Sequence, residues 1–304
     1  MLLFVEQVLN GLQFGVMLFL IAAGLTLVLG VMNMVNLAHG SLYMLGAFVT
    51  AWATIETGSF LLGVAAAVLA TAAAGALIEL LVVRRLYERN HLDQVLATFG
   101  LILFFNELAK ILWGPRALRV DMPPWLSGSV EIVPGIPYPV FRLAIIGVGL
   151  AVALFLYVLV MRTRIGMLLR AGATNREMLG ALGVNIRRLY TTTFALGAVL
   201  AGLAGVMAGP VYSVQIGMGE NILIVAFVVI IIGGVGSIRG AFIGSLLVGM
   251  VFVLCRVFLP QIFTLFMAPA AANAVGTSLS AMAIYMLMAA VLLWRPRGLF
   301  TGHG

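Results

Sequence analysis

Long apolar runs separated by short polar or glycine-rich connectors dominate the chain. Nine runs stand out, at 8–30, 41–55, 60–83, 92–112, 141–161, 190–212, 222–234, 241–258 and 279–294. A membrane helix needs about 20 mostly apolar residues, so the pattern predicts an all-α polytopic membrane protein with about eight or nine transmembrane or re-entrant helices. Residues 1–304 read as a single transmembrane domain. Three runs are short: 41–55, 222–234 and 279–294. The first two adjoin glycine-containing turns, Asn36 to Gly40 and Gly233 to Gly240. Short interrupted segments predict broken or re-entrant helices, because irregular backbone survives at bilayer depth only where protein or a wet cavity covers it.

Two connectors are long enough to have character of their own. The segment 113–140 contains Trp113, Pro115, Pro123, Pro124, Trp125, Pro134, Pro137 and Pro139. Proline at that density blocks a long helix, and tryptophan suits the membrane interface. An external loop with a short hairpin is the expectation. The segment 162–189 carries Arg162, Arg164, Arg170, Arg176, Arg187 and Arg188 and is too polar to span. Met167 to Leu182 is predicted as a short helix. Leu168, Leu169, Met178, Leu179 and Leu182 supply its apolar side, and Gly183 ends it.

Charge sets the orientation. The loop 84–89, the segment 162–189, Arg239 and the tail arginines Arg295 and Arg297 together hold twelve of the seventeen Lys and Arg residues. The positive-inside rule puts these on the cytoplasmic side, with a cytoplasmic C-terminus. Nine crossings then leave the N-terminus outside. The first charge is Glu6 and no basic residue precedes Arg84, so the start does not read as a cleavable signal peptide.

Composition agrees: 63% of residues are hydrophobic and only 9% charged, against about 25% charged in a soluble domain. The net charge of +7 is spread over short loops rather than one basic stripe, so it is no nucleic-acid signature. Cys255 is the single cysteine, which excludes an intrachain disulfide and a cysteine metal cluster. The only lysine, Lys110, has no glycine loop before it. A P-loop is therefore missing, and any ATP would have to be hydrolysed by another subunit. No G-x-S-x-G or H-E-x-x-H motif occurs, and His39, His91 and His303 form no ligand cluster.

Four features carry candidate mechanism. Asn36, His39, Gly40 and Ser41 either line a translocation path or gate, or cap a broken helix and satisfy its free backbone. The connector 162–189 either docks on an energy-supplying subunit or lies on the bilayer surface. Gly233, Gly234, Gly236 and Ser237 make a tight turn that serves as a hinge or as close packing. The acids Glu79 and Glu107 fall inside apolar runs; pairing with Arg84 or Arg85 and with Lys110 is the simpler role, and proton or ion coupling is the other. Gly46-Ala47-Phe48 and Gly240-Ala241-Phe242 echo each other over too few residues to establish a repeat.

Taken in order, the motifs resemble a known family. Gly24 to Gly30, Asn36-Leu37-Ala38-His39-Gly40 and Met44-Leu45-Gly46-Ala47 are similar to the opening signature of LivH-like permeases of branched-chain amino acid ABC importers. Gly166 to Asn185, Phe194 to Gly197, Leu200 to Gly205, Gly233 to Ser237 and Arg295 to Phe300 continue the match over nearly the whole chain. Ser41, Leu179 and Arg239 depart from it. The resemblance implies a permease subunit that is not itself an enzyme and binds no cofactor. It also implies a second LivM-like permease, two cytoplasmic ATPase subunits and an extracytoplasmic substrate-binding protein in a bacterial inner membrane. Gly166, Arg170, Ala171, Asn175, Glu177, Leu179 and Gly183 fall in the implied ATPase coupling loop. An ion-coupled secondary transporter is the alternative.

Overall fold

The computed structural model describes residues 2–133 and 135–300; Pro134 and His303, named above, lie outside the described residues. Each of the nine apolar runs forms a helix: α1 (Leu2–Met32), α2 (His39–Thr57), α3 (Phe60–Leu81), α4 (His91–Trp113), α5 (Val140–Arg162), α8 (Ile186–Ala208), α9 (Met218–Gly233), α10 (Ile238–Phe263) and α11 (Pro269–Trp294). Seven of these are long and apolar enough to cross a membrane; α2 and α9 are the exceptions. The protein is thus an all-α, multi-pass membrane protein.

Most helix ends differ from the runs by a few residues, and the largest departures are two. The short run 279–294 is the inner part of the 26-residue α11, which begins ten residues earlier in Ala, Asn, Thr and Ser. The connector is also not one helix over 167–182. It forms α6 (Arg164–Thr174) and α7 (Arg176–Ala181), broken at Asn175. There the Asn175 backbone turns extended, and its side chain accepts from the Met178 amide at 2.9 Å, the capping bond that starts a new helix. Gly183 follows α7 with φ +85°, the left-handed stop expected there.

Helix α1 is the spine of the bundle, buried almost continuously from Gly11 to Val28. It packs against α10, α8, α5 and α9. Lipid supplies no hydrophobic drive for helices to associate, so close contact must do so. Small residues make that contact. A Cβ on Gly24 would stand 2.6 Å from the Gly197 carbonyl of α8, and one on Gly249 of α10 would stand 2.5 Å from the Gly15 backbone.

One end of the bundle gathers the arginines. Arg84 bonds Glu79 of α3 and Thr191 of α8. Gly30, Arg170 and Arg239 line one cavity. The C-terminal segment folds back there: Leu299 and Phe300 amides donate to the Ile232 and Gly233 carbonyls at 2.8 and 3.0 Å. At the opposite end the proline-rich loop does carry a hairpin, β1 (Ser129–Val133) paired antiparallel with β2 (Ile136–Pro139). An isolated bridge, Leu118 with Val214, stitches this loop onto the connection between α8 and α9.

Candidate functional site

Helices α2 and α9 both begin inside the bundle. After α1 ends at the basic end, residues 33–38 turn back. Asn33 takes φ +50°, a left-handed turn that asparagine tolerates. The Asn36 side chain then accepts from the Ala38 amide at 3.0 Å, covering a donor that the helix start leaves free. His39 Nε2 donates to the Ile21 carbonyl at 3.2 Å. Ile21 lies about 16 Å along α1 from Met32, at 1.5 Å per residue. The chain has therefore climbed to mid-bundle before α2 starts, and α2 runs on toward the hairpin end.

Helix α9 repeats this in the opposite sense. It follows the returning segment 209–217, starts at Met218 and runs to the basic end, where Gly234 meets Phe300. The two helix starts touch backbone to backbone. A Cβ on Gly40 would fall 2.3 Å from the Gly219 carbonyl, and one on Gly219 would fall 2.2 Å from the Gly40 carbonyl. Two interrupted helices of opposite direction meeting in the bilayer are the architecture of transporters.

The surroundings of the two starts differ. Asn36, His39 and Ser41 are 0%, 1% and 4% exposed, enclosed by α1, α8 and α9. At the second start Gln215 and Asn221 are exposed on the outer surface of the chain, with Glu220 half-buried beside them. Asn106 of α4, also half-buried, donates from Nδ2 to Glu220 Oε1 at 2.6 Å. Glu220 lies about 20 Å along α9 from Gly233, and Asn106 about 10 Å along α4 below Trp113. The carboxylate is therefore near mid-membrane, with no ion-pair partner among the described residues. Such groups are costly against lipid tails and belong to a wet or protein-covered surface.

Sequence reasoning missed Glu220, because the apolar run begins two residues after it. The available signal was a second alignment. Val35-Asn36-Leu37-Ala38-His39-Gly40-Ser41 and Val214-Gln215-Ile216-Gly217-Met218-Gly219-Glu220 run in parallel at five of seven positions, departing at His39/Met218 and Ser41/Glu220. By contrast, Gly46 packs on Gly202 and Gly240 on Gly233, so the pair of Gly-Ala-Phe motifs marks no equivalent position.

The other predicted residues fall into three groups. In the connector, Gly166 lies against the Leu159 and Val160 carbonyls, so close that no Cβ fits, and Arg170 donates to the Val160 carbonyl at 2.8 Å. Leu169 and Leu179 are buried against the bundle. Ala171 is half-buried, while Asn175, Glu177 and Gly183 are exposed. Met178 and Leu182 project apolar side chains 64% and 74% exposed. In the α9–α10 turn, Gly233 packs on Gly240, and Gly234 and Gly236 take φ of +103° and +81°. Ser237 caps α10 by accepting from the Gly240 amide at 3.1 Å.

The two acids form the third group. Glu79 is fully buried and saturated: it accepts from Arg84, from Thr191 at 2.7 Å and from Tyr87. Burial and the bond to Glu79 push the Tyr87 hydroxyl up from its ordinary pKa, so it stays protonated and donating. Glu107 pairs with Lys110 at the surface. No cluster of three or more His, Cys, Asp or Glu able to hold a metal occurs among the described residues.

An inverted pair of interrupted helices, polar where they meet at bilayer depth, defines a membrane transport protein. The comparisons make this specific. Residues 7–293 match the family model described as the permease component of the branched-chain amino acid transport system. The chain is 30% identical to the high-affinity branched-chain amino acid transport system permease protein BraD of Pseudomonas aeruginosa, over 97% of this chain and 95% of that one. It is also 30% identical to the corresponding protein LivH of Escherichia coli strain K12, over 85% and 88%. More distantly it is 27% identical to the ribose import permease protein RbsC of that strain, over 76% and 71%. No solved structure matches. The chain belongs to the family of branched-chain amino acid transport permeases.

Proposed function

We propose that this chain is the membrane-embedded permease of an ATP-driven importer of branched-chain amino acids or related small amphiphiles in a bacterial inner membrane. The basic end faces the cytoplasm. The observation that carries the reading is the polar strip Gln215, Glu220, Asn221 and Asn106, held at bilayer depth on the outer surface of the chain. A second, LivM-like permease covers it, and substrate passes between the two subunits. The Gly40–Gly219 crossing, braced by Asn36, His39 and Ser41, is the gate behind that path.

Energy enters at the basic end. Met178 on α7 and Leu182 just after it, too apolar to be left in water, dock on one of two ATPase subunits. Arg170 and Gly166 join α6 rigidly to the end of α5, and the glycine turn 233–237 lets α9 tilt when α6 and α7 are pushed. ATP is bound and hydrolysed by those partners, and an extracytoplasmic binding protein delivers substrate at the hairpin end. Such switching requires the driver to hold the two states with unequal free energy.

The test is uptake by the complex reconstituted in liposomes with its ATPases. Gly183→Arg is expected to abolish uptake while ATP hydrolysis continues and insertion is normal. Uptake at the wild-type rate by that variant overturns the coupling assignment. The double variant Glu79→Gln, Glu107→Gln separates the rival ion-coupled mechanism. Persisting ATP-dependent uptake rejects the rival, and loss in this variant of a wild-type uptake that follows an imposed ion gradient without ATP supports it.

A further inference from the structure

A cavity of about 510 Å³ opens at the basic end between the last turn of α1, the end of α5, α6 and the α9–α10 turn. Its wall is polar in part: Asn33, Ser237, Arg170 and Arg239 all line it. A second cavity, of about 250 Å³, continues from it between α5 and α10. This one is almost purely apolar, lined by Phe19, Ala153, Leu156, Phe242, Ile243 and Phe300 among others. Val160, Met161, Ile238 and Arg239 line both, so the two form one amphipathic space with Arg239 at the junction.

The dimensions of the slot are informative. Ala153 lies about 14 Å along α5 from Arg162, and Phe19 about 20 Å along α1 from Met32. One leaflet of hydrocarbon is about 15 Å deep, half of the 30 Å core. The slot therefore spans one leaflet, starting at the level of the arginines. Phe19 and Phe242 meet edge to face with centroids 5.1 Å apart, which fixes its inner wall. Arg239 is exposed and has no hydrogen bond or ion pair to another side chain among the described residues, leaving its guanidinium available to a ligand. A small polar solute would fill the upper chamber and leave the apolar slot vacant. A neutral chain would fill the slot and leave the guanidinium alone.

We infer that this space binds one anionic phospholipid, its phosphate on Arg239 beside Asn33 and Ser237 and an acyl chain lying between α5 and α10. Arginine matches phosphate through its planar donor fork, and basic pockets between helices at the cytoplasmic face are suited to such head groups. The occupied slot wedges α5, which carries α6, against α10, which carries the turn at the end of α9. The lipid thereby stiffens the two elements that any tilt of α9 must move. The inference depends on the chain spanning a membrane and not on what it transports.

The experiment purifies the full-length chain in mild detergent from membranes containing phosphatidylglycerol and counts retained lipid per protein by native mass spectrometry. Arg239→Gln removes the head contact. Ala153→Phe and, on an exposed site of the same wall, Ile243→Trp block the tail slot. Retained phosphatidylglycerol is expected to fall about tenfold in each, the effect of losing one charge-assisted contact or the space for a chain. Phosphatidylcholine offered in its place should be retained weakly by all. If the Arg239 variant loses bound inorganic phosphate while both slot variants keep full occupancy, the site takes a free anion and the lipid assignment is overturned. Undiminished phosphatidylglycerol in all three inserted variants also overturns it.

Discussion

The two places where a helix is interrupted, before α2 and before α9, share a sequence pattern and a glycine contact but have opposite surroundings. The first start is built to be still. The turn before it is held by the bond from the Ala38 amide to Asn36, its histidine is tied to α1, and its side chains are enclosed. The second has Gly217 at φ +85° before it in place of a polar turn, followed by a half-buried carboxylate tied to one amide. Equivalent positions, Ser41 and Glu220, are thus a buried small hydroxyl and a half-buried acid. The lesson is that a doubled architecture does not double the chemistry: one copy supports, and the other presents polar groups at the surface.

That contrast can be broken at its shared point first. Gly219→Val should eliminate uptake and lower the amount of inserted protein, because its side chain would overlap the Gly40 carbonyl and overpacking costs about 1–3 kcal/mol or more. Immunoblots of membranes and transport by cells read both effects. Gly40→Val should do the same from the other side, since the overlap is mutual.

The next largest effect separates the copies. Glu220→Gln should slow uptake roughly tenfold with normal insertion, as expected where a charge-assisted contact of about 1.5 kcal/mol is removed from a path. Ser41→Ala should leave uptake within about twofold, because the enclosed Ser41 hydroxyl supports the crossing and does not contact the outer polar strip. Equal effects of the two would mean that the two helix starts share one role. The smallest is a stability effect. Asn36→Ala should cost about 1 kcal/mol, the usual net loss of one buried hydrogen bond, here that from the Ala38 amide. It would appear as a lower thermal midpoint in detergent, with uptake per inserted molecule unchanged.

Much of this was legible in the chain itself. Runs of Leu, Val, Ile and Ala gave all nine helices, and the breaks at Asn36–Gly40 and Gly233–Gly240 were located because glycine and polar residues punctuate apolar sequence. Glu79 and Glu107 were correctly assigned to nearby basic partners, a matter of helical spacing. Other features needed three dimensions. Hydropathy cannot register that α11 extends back through Asn273, Thr277 and Ser278, since those residues resemble a loop until neighbours are known. Glu220 was hidden because Gly217, Gly219 and Asn221 beside it interrupt the apolar pattern, so the run starts only at Ile222. The bond from Asn106, more than a hundred positions away, has no local signal at all.

The fold-back of Leu299 and Phe300 onto Ile232 and Gly233 has a consequence for how the protein is made. The inner end of α9 can thread into the bilayer long before the residues that complete it exist. At about 5–20 residues per second, translation needs roughly 3–14 seconds to cover the intervening stretch. During that interval two carbonyls await their donors, and the helix end has to be sheltered by water or by the insertion machinery. A chain cut before Leu299 would therefore be embedded yet unfinished at the turn beside α10.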